Sequence, residues 1–145
     1  MPLGTGSPLR VDLPPSALGV VFDPEHLRRV LVNLLDNARR HARDAPGAVF
    51  LRLASRDDGA VQISVQSDSE PITPEVERYL FEPFFSTRSR GSGLGLYICR
   101  ELCERYGASI EYRPRPGAEK LRNEFLVTLK RGVLPAGERS LPLEP

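Results

Sequence analysis

Apolar residues recur with helical spacing across residues 24–42, and this is the clearest pattern in the chain. They stand at i, i+3, i+4, i+7, i+8 and i+11, which is one stripe on one helix: Leu27, Val30, Leu31, Leu34, Leu35 and Ala38. Asp23 is a favourable N-cap residue, and Pro24 suits the first helical position. The sequence therefore predicts a long helix that begins after Asp23 and ends near Ala42.

Polar residues border this stripe on one flank, because successive side chains rotate by about 100° around a helix. They are Asn33, Asn37, Arg40 and His41, whereas the opposite side carries Arg29, Val32 and Asp36 and should meet solvent. Two carboxamides one turn apart, followed by two basic groups, suggest oxygen ligands and phosphate partners. Taken alone, the asparagine pair would more simply be explained as polar residues that hydrogen-bond to backbone beside the core.

Strict alternation of apolar and polar residues predicts strands on both sides of the turn Asp57-Asp58-Gly59. The alternating apolar positions are Val49, Leu51 and Leu53 before the turn and Val61, Ile63 and Val65 after it. This pattern is typical of an antiparallel pair with one buried face.

Shorter segments complete the predicted fold. We expect strands over residues 9–13 and 19–22, at Ile110 and Tyr112, and over residues 125–129. A short helix over residues 74–80 should be capped by Thr73, and a second long helix should end at Tyr106 before Gly107. The predicted fold class is α/β: a two-layer sandwich with a mixed, mostly antiparallel sheet and helices on one face.

Composition and net charge indicate how much of the chain is folded and which kinds of partner are unfavourable. We predict a disordered start over residues 1–8, one folded domain over residues 9–131 and a flexible tail over residues 132–145. A net charge of +1 argues against a nucleic-acid surface and against membrane contact by this domain. Cys99 and Cys103 share a helix side with apolar residues, so we interpret them as reduced thiols in the core. His26 should be a solvated or capping group.

Two further motifs have functional and structural interpretations. The stretch Gly91-Ser92-Gly93-Leu94-Gly95-Leu96 opens a helix, and its glycines would let backbone N–H groups approach a phosphate. It lacks the Lys-Ser/Thr of a P-loop, and a flexible linker is the alternative. In the cluster Phe81-Glu82-Pro83-Phe84-Phe85, Phe84 and Phe85 could form a ligand platform, but packing beneath a loop is favoured.

These motifs, in this order and at this spacing, resemble the ATP-binding catalytic domain of bacterial sensor histidine kinases. Asn33-Leu34-Leu35-Asp36-Asn37-Ala38 is similar to the N box of that family, and residues 81–85 are similar to its F box. Residues 91–96 are similar to its second glycine box. The resemblance covers residues 9–130, and residues 80–108 especially resemble the nitrogen-regulation and type IV pilus sensor classes. It implies a Bergerat-type ATPase fold.

The resemblance also implies ATP and Mg²⁺ as cofactors and assigns roles to single residues. Asn37 would ligate Mg²⁺, with Asn33 as a second candidate ligand. Asn33 also stands where gyrase-like relatives carry a catalytic Glu, and a carboxamide cannot accept a proton, so transfer to a histidine is favoured over hydrolysis. The implied nucleotide-binding residues are Asn33, Asn37, Arg40, His41, Asp68, Ile72, Phe85, Thr87, Arg88, Gly91, Gly93, Leu94, Gly95 and Leu96.

The first glycine box departs from the family pattern. Residues 67–72 contain no glycine, and Ser67 stands where the family has an Asp that contacts adenine. We expect a shift of this loop to bring Asp68 to the adenine instead, with weak nucleotide binding as the result.

The family's phosphoacceptor context is also missing around His26 and His41. The expected partners are therefore ATP, a phosphoacceptor dimerisation domain of the same full-length kinase and a downstream response regulator. The expected location is the cytoplasm, either free or as the cytoplasmic part of a membrane-bound receptor. Two other hypotheses are a degenerate nucleotide-binding or docking module without turnover and an anti-sigma-factor-type serine kinase.

Overall fold

A computed structural model describes residues 7–85 and 93–133, in which five strands form one mixed sheet. The elements in chain order are β1 (Leu9–Asp12), α1 (Pro24–His41), β2 (Val49–Ser55), β3 (Val61–Ser67), α2 (Pro74–Glu77), α3 (Gly95–Arg105), β4 (Ser109–Pro114) and β5 (Asn123–Leu129). The strand order is β1-β2-β3-β5-β4; β1 runs parallel to β2, and the other neighbours are antiparallel. The predicted fold class is confirmed.

Helix α1 begins as its sequence predicts. Oδ1 of Asp23 accepts hydrogen bonds from the backbone N–H groups of Glu25 at 2.9 Å and His26 at 3.2 Å. These bonds satisfy N–H groups that have no partner inside the first turn of a helix. The buried face of α1 carries Val30, Leu34 and Ala38. The side predicted to meet solvent does so at Arg29, Val32 and Asp36.

The core lies between α1, α3 and one face of the sheet. Strand β3 contributes Val61, Ile63 and Val65, and β5 contributes Phe125, Val127 and Leu129. Since side chains alternate between the two faces of a strand, these odd-numbered positions all point toward the helices. Helix α3 buries Cys99, Leu102 and Cys103, and both cysteines are free thiols, as predicted.

Two predicted elements differ from those observed. Residues 19–22 form only a single β-bridge, between Val20 and Arg131, and the ring of Phe22 stacks on that of Tyr106 with centroids 4.3 Å apart. Helix α2 is shorter than predicted, since the residues after Glu77 form successive turns.

The environment of His26 also differs from the prediction. Its Nδ1 lies 2.6 Å from the hydroxyl of Tyr106, so its side chain is neither simply solvated nor a cap. Over the described ranges, 7–85 and 93–133, no helix is long and apolar enough to cross a membrane.

Candidate functional site

A cavity of about 600 Å³ opens between α1, α3 and the ends of β3 and β5, a volume typical of small-molecule and cofactor sites. The sequence-predicted site residues that line it are Asn33, Asn37, Arg40, His41, Ile72, Phe85, Gly93, Leu94, Gly95 and Leu96. Thr87, Arg88 and Gly91 lie outside the described residues. One cavity therefore brings together residues that are widely separated along the chain.

The wall formed by α1 is the polar flank that helical periodicity predicts. Asn33 and Asn37 are half-buried one turn apart, and Arg40 and His41 follow in the last turn of the helix. Cationic side chains at the end of a helix are favoured by its dipole. The thiol of Cys99, on the facing helix, donates to the carbonyl oxygen of Val30 at 3.7 Å, and burial raises the pKa of this thiol to about 12. The wall thus offers neutral oxygen ligands beside the guanidinium of Arg40.

The opposing wall is the N-terminus of α3. A Cβ atom placed on Gly95 would lie 3.7 Å from Oδ1 of Asn33, an ordinary van der Waals distance, so the start of α3 lies directly beside this carboxamide. Leu94 stands at the N-cap position of α3, and its apolar side chain makes no capping hydrogen bond. The N-terminal N–H groups and the helix dipole therefore favour an anion such as phosphate at this position.

Gly93 also lines the cavity, but its backbone conformation and a close neighbour explain why a glycine stands here. Its φ is +78°, and an added Cβ would lie 2.5 Å from the carbonyl carbon of Phe84. Phe84 itself is 77% exposed, so the prediction that it packs beneath a loop is wrong for this residue. The adjacent Phe85 is half-buried and lines the cavity, as the ligand-platform interpretation requires.

Asp68 does not line the cavity, in contrast to the expectation that it contacts adenine. Its side chain is buried, and Oδ1 accepts a hydrogen bond from the backbone N–H of Arg43 at 2.9 Å. Its backbone N–H donates to the carbonyl of Ala48, and its carbonyl accepts from Nη2 of Arg122, each at 3.0 Å. The expected loop shift would break these bonds, so the structure does not agree with that placement.

The sheet side of the cavity carries polar residues that were not among the predicted site residues. Ser67 and Asn123 face each other across β3 and β5, and both are buried and line the cavity. Alternation would have found them, since Ser67 continues the inward series that ends at Val65, and Asn123 begins the one that contains Phe125. Apolar lining on this side comes from Val65, Ile72, Val76 and Phe125.

Asn123 and Tyr112 hold the loop that follows β3. Nδ2 of Asn123 donates to the carbonyls of Ser69 at 2.8 Å and Glu70 at 2.9 Å. The hydroxyl of Tyr112 donates to Oδ1 of Asn123 and accepts from the N–H of Ile72 at 3.0 Å. Every one of these groups is satisfied, as buried polar groups require, and the loop geometry is fixed from the sheet.

The donor set fits a magnesium ion only together with a bound nucleotide. Among the described residues, no three His, Cys, Asp or Glu side chains are grouped as metal ligands. The carboxamide oxygens of Asn33 and Asn37 are neutral ligands of the hard type that Mg²⁺ accepts. Since Mg²⁺ commonly combines few protein ligands with substrate phosphates, these residues fit an ion that arrives with a polyphosphate.

The two-layer sandwich and this polar cavity define a nucleotide-binding ATPase domain. Its residues 22–132 match the family described as histidine kinase-, DNA gyrase B-, and HSP90-like ATPase. The chain belongs to this family, and the resemblance inferred from its three sequence boxes is confirmed.

Sensor kinases are among its relatives. The sensor protein kinase PilS of Pseudomonas aeruginosa is 40% identical over an alignment of 116 residues that covers 78% of this chain and 22% of PilS. The sensory histidine kinase/phosphatase NtrB of Escherichia coli O157:H7 is 32% identical over 81% of this chain and 35% of its own length. The chain therefore spans about a fifth to a third of these relatives.

Solved structures of kinase domains share the fold. The mycobacterial sensor histidine kinase MprB superposes with a TM-score of 0.74 at 25% identity, over 88% of this chain and 86% of that one. Full-length ShkA, solved in complex with AMPPNP, superposes with a TM-score of 0.70 at 27% identity over 94% of this chain and 28% of ShkA. These findings favour a sensor-kinase catalytic domain over the docking-module and serine-kinase hypotheses.

Proposed function

We propose that this domain binds Mg·ATP in the cavity between α1 and α3 and transfers the γ-phosphoryl group to a histidine on a separate dimerisation domain. The observation that carries the proposal is the juxtaposition of the Asn33 and Asn37 carboxamides with the N-terminus of α3 across one cavity. The related ShkA was solved in complex with AMPPNP, which supports an adenine nucleotide as the ligand.

In this proposal, each wall of the cavity contacts a different part of the Mg·ATP complex. The α3 N-terminus binds phosphate oxygens through backbone N–H groups, and Arg40 adds positive charge from the end of α1. Asn37, with Asn33 as a second ligand, would hold the Mg²⁺ that neutralises phosphate charge. The apolar sheet side, with Ile72 and Phe125, suits a flat base.

Asn33 explains why transfer is favoured over hydrolysis. A water molecule near the γ-phosphoryl group would need a residue that accepts its proton, and a carboxamide cannot do this. The phosphoryl group is therefore retained until an acceptor imidazole reaches the cavity mouth. We propose that this acceptor belongs to the remainder of a longer kinase, with a response regulator as the next recipient and the cytoplasm as the location.

Calorimetric titration with a non-hydrolysable ATP analogue tests the nucleotide site. We expect the parent chain to bind with Mg²⁺ and to bind more weakly in EDTA. Asn37→Ala should lower affinity about tenfold or more and remove the dependence on Mg²⁺. Asp36→Ala is the matched control, since Asp36 is the exposed neighbour on the same helix.

Two outcomes would contradict the assignment. If Asn37→Ala binds the Mg²⁺ complex as tightly as the parent, the carboxamide does not serve the metal. If the folded parent binds no nucleotide in either condition, the catalytic proposal fails and a docking role becomes the better hypothesis.

A further inference from the structure

Among the described polar residues that line the sheet side of the cavity, all but one are uncharged. Ser67 is 6% exposed at the end of β3, and its Oγ lies 2.8 Å from Oγ of Ser69; both residues line the cavity. Glu70 is the only carboxylate among the lining residues that the structure describes. It is 3.5 Å from Nη2 of Arg122, and its side chain is 83% exposed, so water competes for its oxygens.

The position of this serine pair is fixed by its surroundings. Ser67 belongs to β3 and is paired with Asn123, whereas the carbonyl of Ser69 accepts a hydrogen bond from Nδ2 of the same asparagine. Because Asn123 uses its second N–H on the carbonyl of Glu70, its donors are occupied. Asn123 is therefore a positioning residue for the loop, and the serine hydroxyls remain the adaptable groups.

We propose that the Ser67–Ser69 hydroxyl pair contacts the 6-position of a bound purine and makes the site tolerant of both 6-amino and 6-oxo purine nucleotides. This inference rests on the proposed nucleotide site. A hydroxyl has one donor and two acceptor lone pairs and rotates to suit its partner. The mutual bond uses one hydrogen, so the pair can accept from an amino group or donate to a carbonyl oxygen.

A carboxylate in the same place would behave differently. It only accepts hydrogen bonds, so it favours the 6-amino group and leaves a 6-oxo group without a donor. An unpaired buried group of this kind typically reduces affinity by about ten- to a hundredfold. The buried Asp68 does not supply that discrimination, because its carboxylate is bound to the N–H of Arg43 outside the cavity.

The test compares ADP with inosine diphosphate by calorimetry on the full 145-residue chain with Mg²⁺. The two bases differ in the 6-substituent and in the hydrogen on N1. We expect dissociation constants within about threefold of each other. Ser67→Asp should make ADP bind about tenfold or more tightly than inosine diphosphate. Ser109→Asp, the same change at an exposed strand position, should leave the ratio unchanged.

A second variant keeps the test decisive if Ser67→Asp does not fold. Ser67→Ala should weaken both nucleotides to a similar extent, by about three- to tenfold. The inference is overturned if the parent strongly prefers ADP, or if Ser67→Ala changes neither affinity; both results would leave the proposed nucleotide site intact. Absence of binding by either nucleotide to the folded parent overturns the inference together with that site.

Discussion

Phe84 and Gly93 are joined backbone to backbone at the edge of the cavity. The N–H of Phe84 donates to the carbonyl of Gly93 at 2.8 Å, and both residues have positive φ, +63° and +78° respectively. A positive φ is unfavourable for phenylalanine, and such strain is kept only where the surroundings enforce it. The contact fixes the chain on both sides of the cavity mouth, where Phe85 and Leu94 line the site.

Gly93→Ala should destabilise the domain by about 1–3 kcal/mol, because the added Cβ meets the Phe84 backbone and the positive φ becomes strained. Unfolding in urea measures this change. Gly59→Ala is a control for strain alone, since φ there is +93° but nothing lies within 4 Å of the added Cβ. Equal effects of the two substitutions would show that the Phe84 contact relaxes without cost.

The helix that forms one wall was predictable because its pattern is local. Periodicity placed Asn33 and Asn37 on the flank that lines the cavity, and Asp23 marked the start of the helix. The pairing of the strands was harder to predict from the sequence. The parallel pairing of β1 with β2 depends on how a distant segment folds back, and the short strand pattern does not reveal its direction.

The misplacement of Asp68 has a specific cause. The family resemblance led us to expect a carboxylate near the adenine. In β3, however, alternation points Ser67 toward the cavity and the next residue away from it. The long-range partners of Asp68, Arg43 and Arg122, could not be deduced from local spacing. The same holds for the hydrogen bonds that Asn123 makes to the loop.

Tyr112→Phe should destabilise the domain by about 1–3 kcal/mol, because it leaves the N–H of Ile72 and Oδ1 of Asn123 without their shared partner. The unfolding free energy and the amide hydrogen exchange of Ile72 measure this. Exchange at Ile72 should accelerate as the loop loosens. Tyr79→Phe, at a position that is 48% exposed, should change neither. Unchanged exchange at Ile72 in Tyr112→Phe would contradict a holding role for the hydroxyl.

Stability should fall in alkaline solution, in part because the two thiols are buried. Burial raises the pKa of Cys99 to about 12 and that of Cys103 to about 11, from an ordinary value of 9.0. The unfolded chain therefore loses thiol protons first, so the stabilisation is complete below about pH 9 and is lost as pH rises through the folded pKa values.

The double variant Cys99→Ala/Cys103→Ala tests this pH dependence. Its absolute stability should be lower because cavities form, but its unfolding free energy should fall less steeply above about pH 9 than that of the parent. In the parent, a thiol-specific reagent should label both cysteines rapidly only in denaturant, since both are buried. Parallel pH profiles for parent and variant would exclude the thiols as a cause.

The isolated chain should release almost no phosphate from ATP and should acquire no stable phosphoryl label, because Asn33 supplies no base and the proposed acceptor lies on another domain. Asn33→Asp places a proton acceptor of the same size beside the α3 N-terminus and should raise hydrolysis on the order of ten- to a hundredfold. Asn37→Asp, the same change one turn along α1, should not, since that position is proposed to hold the metal. Phosphate release and incorporation from γ-labelled ATP are the measurements. Rapid hydrolysis by the parent would contradict the role of Asn33, and a stable label on the chain would favour a serine kinase or a self-modifying enzyme.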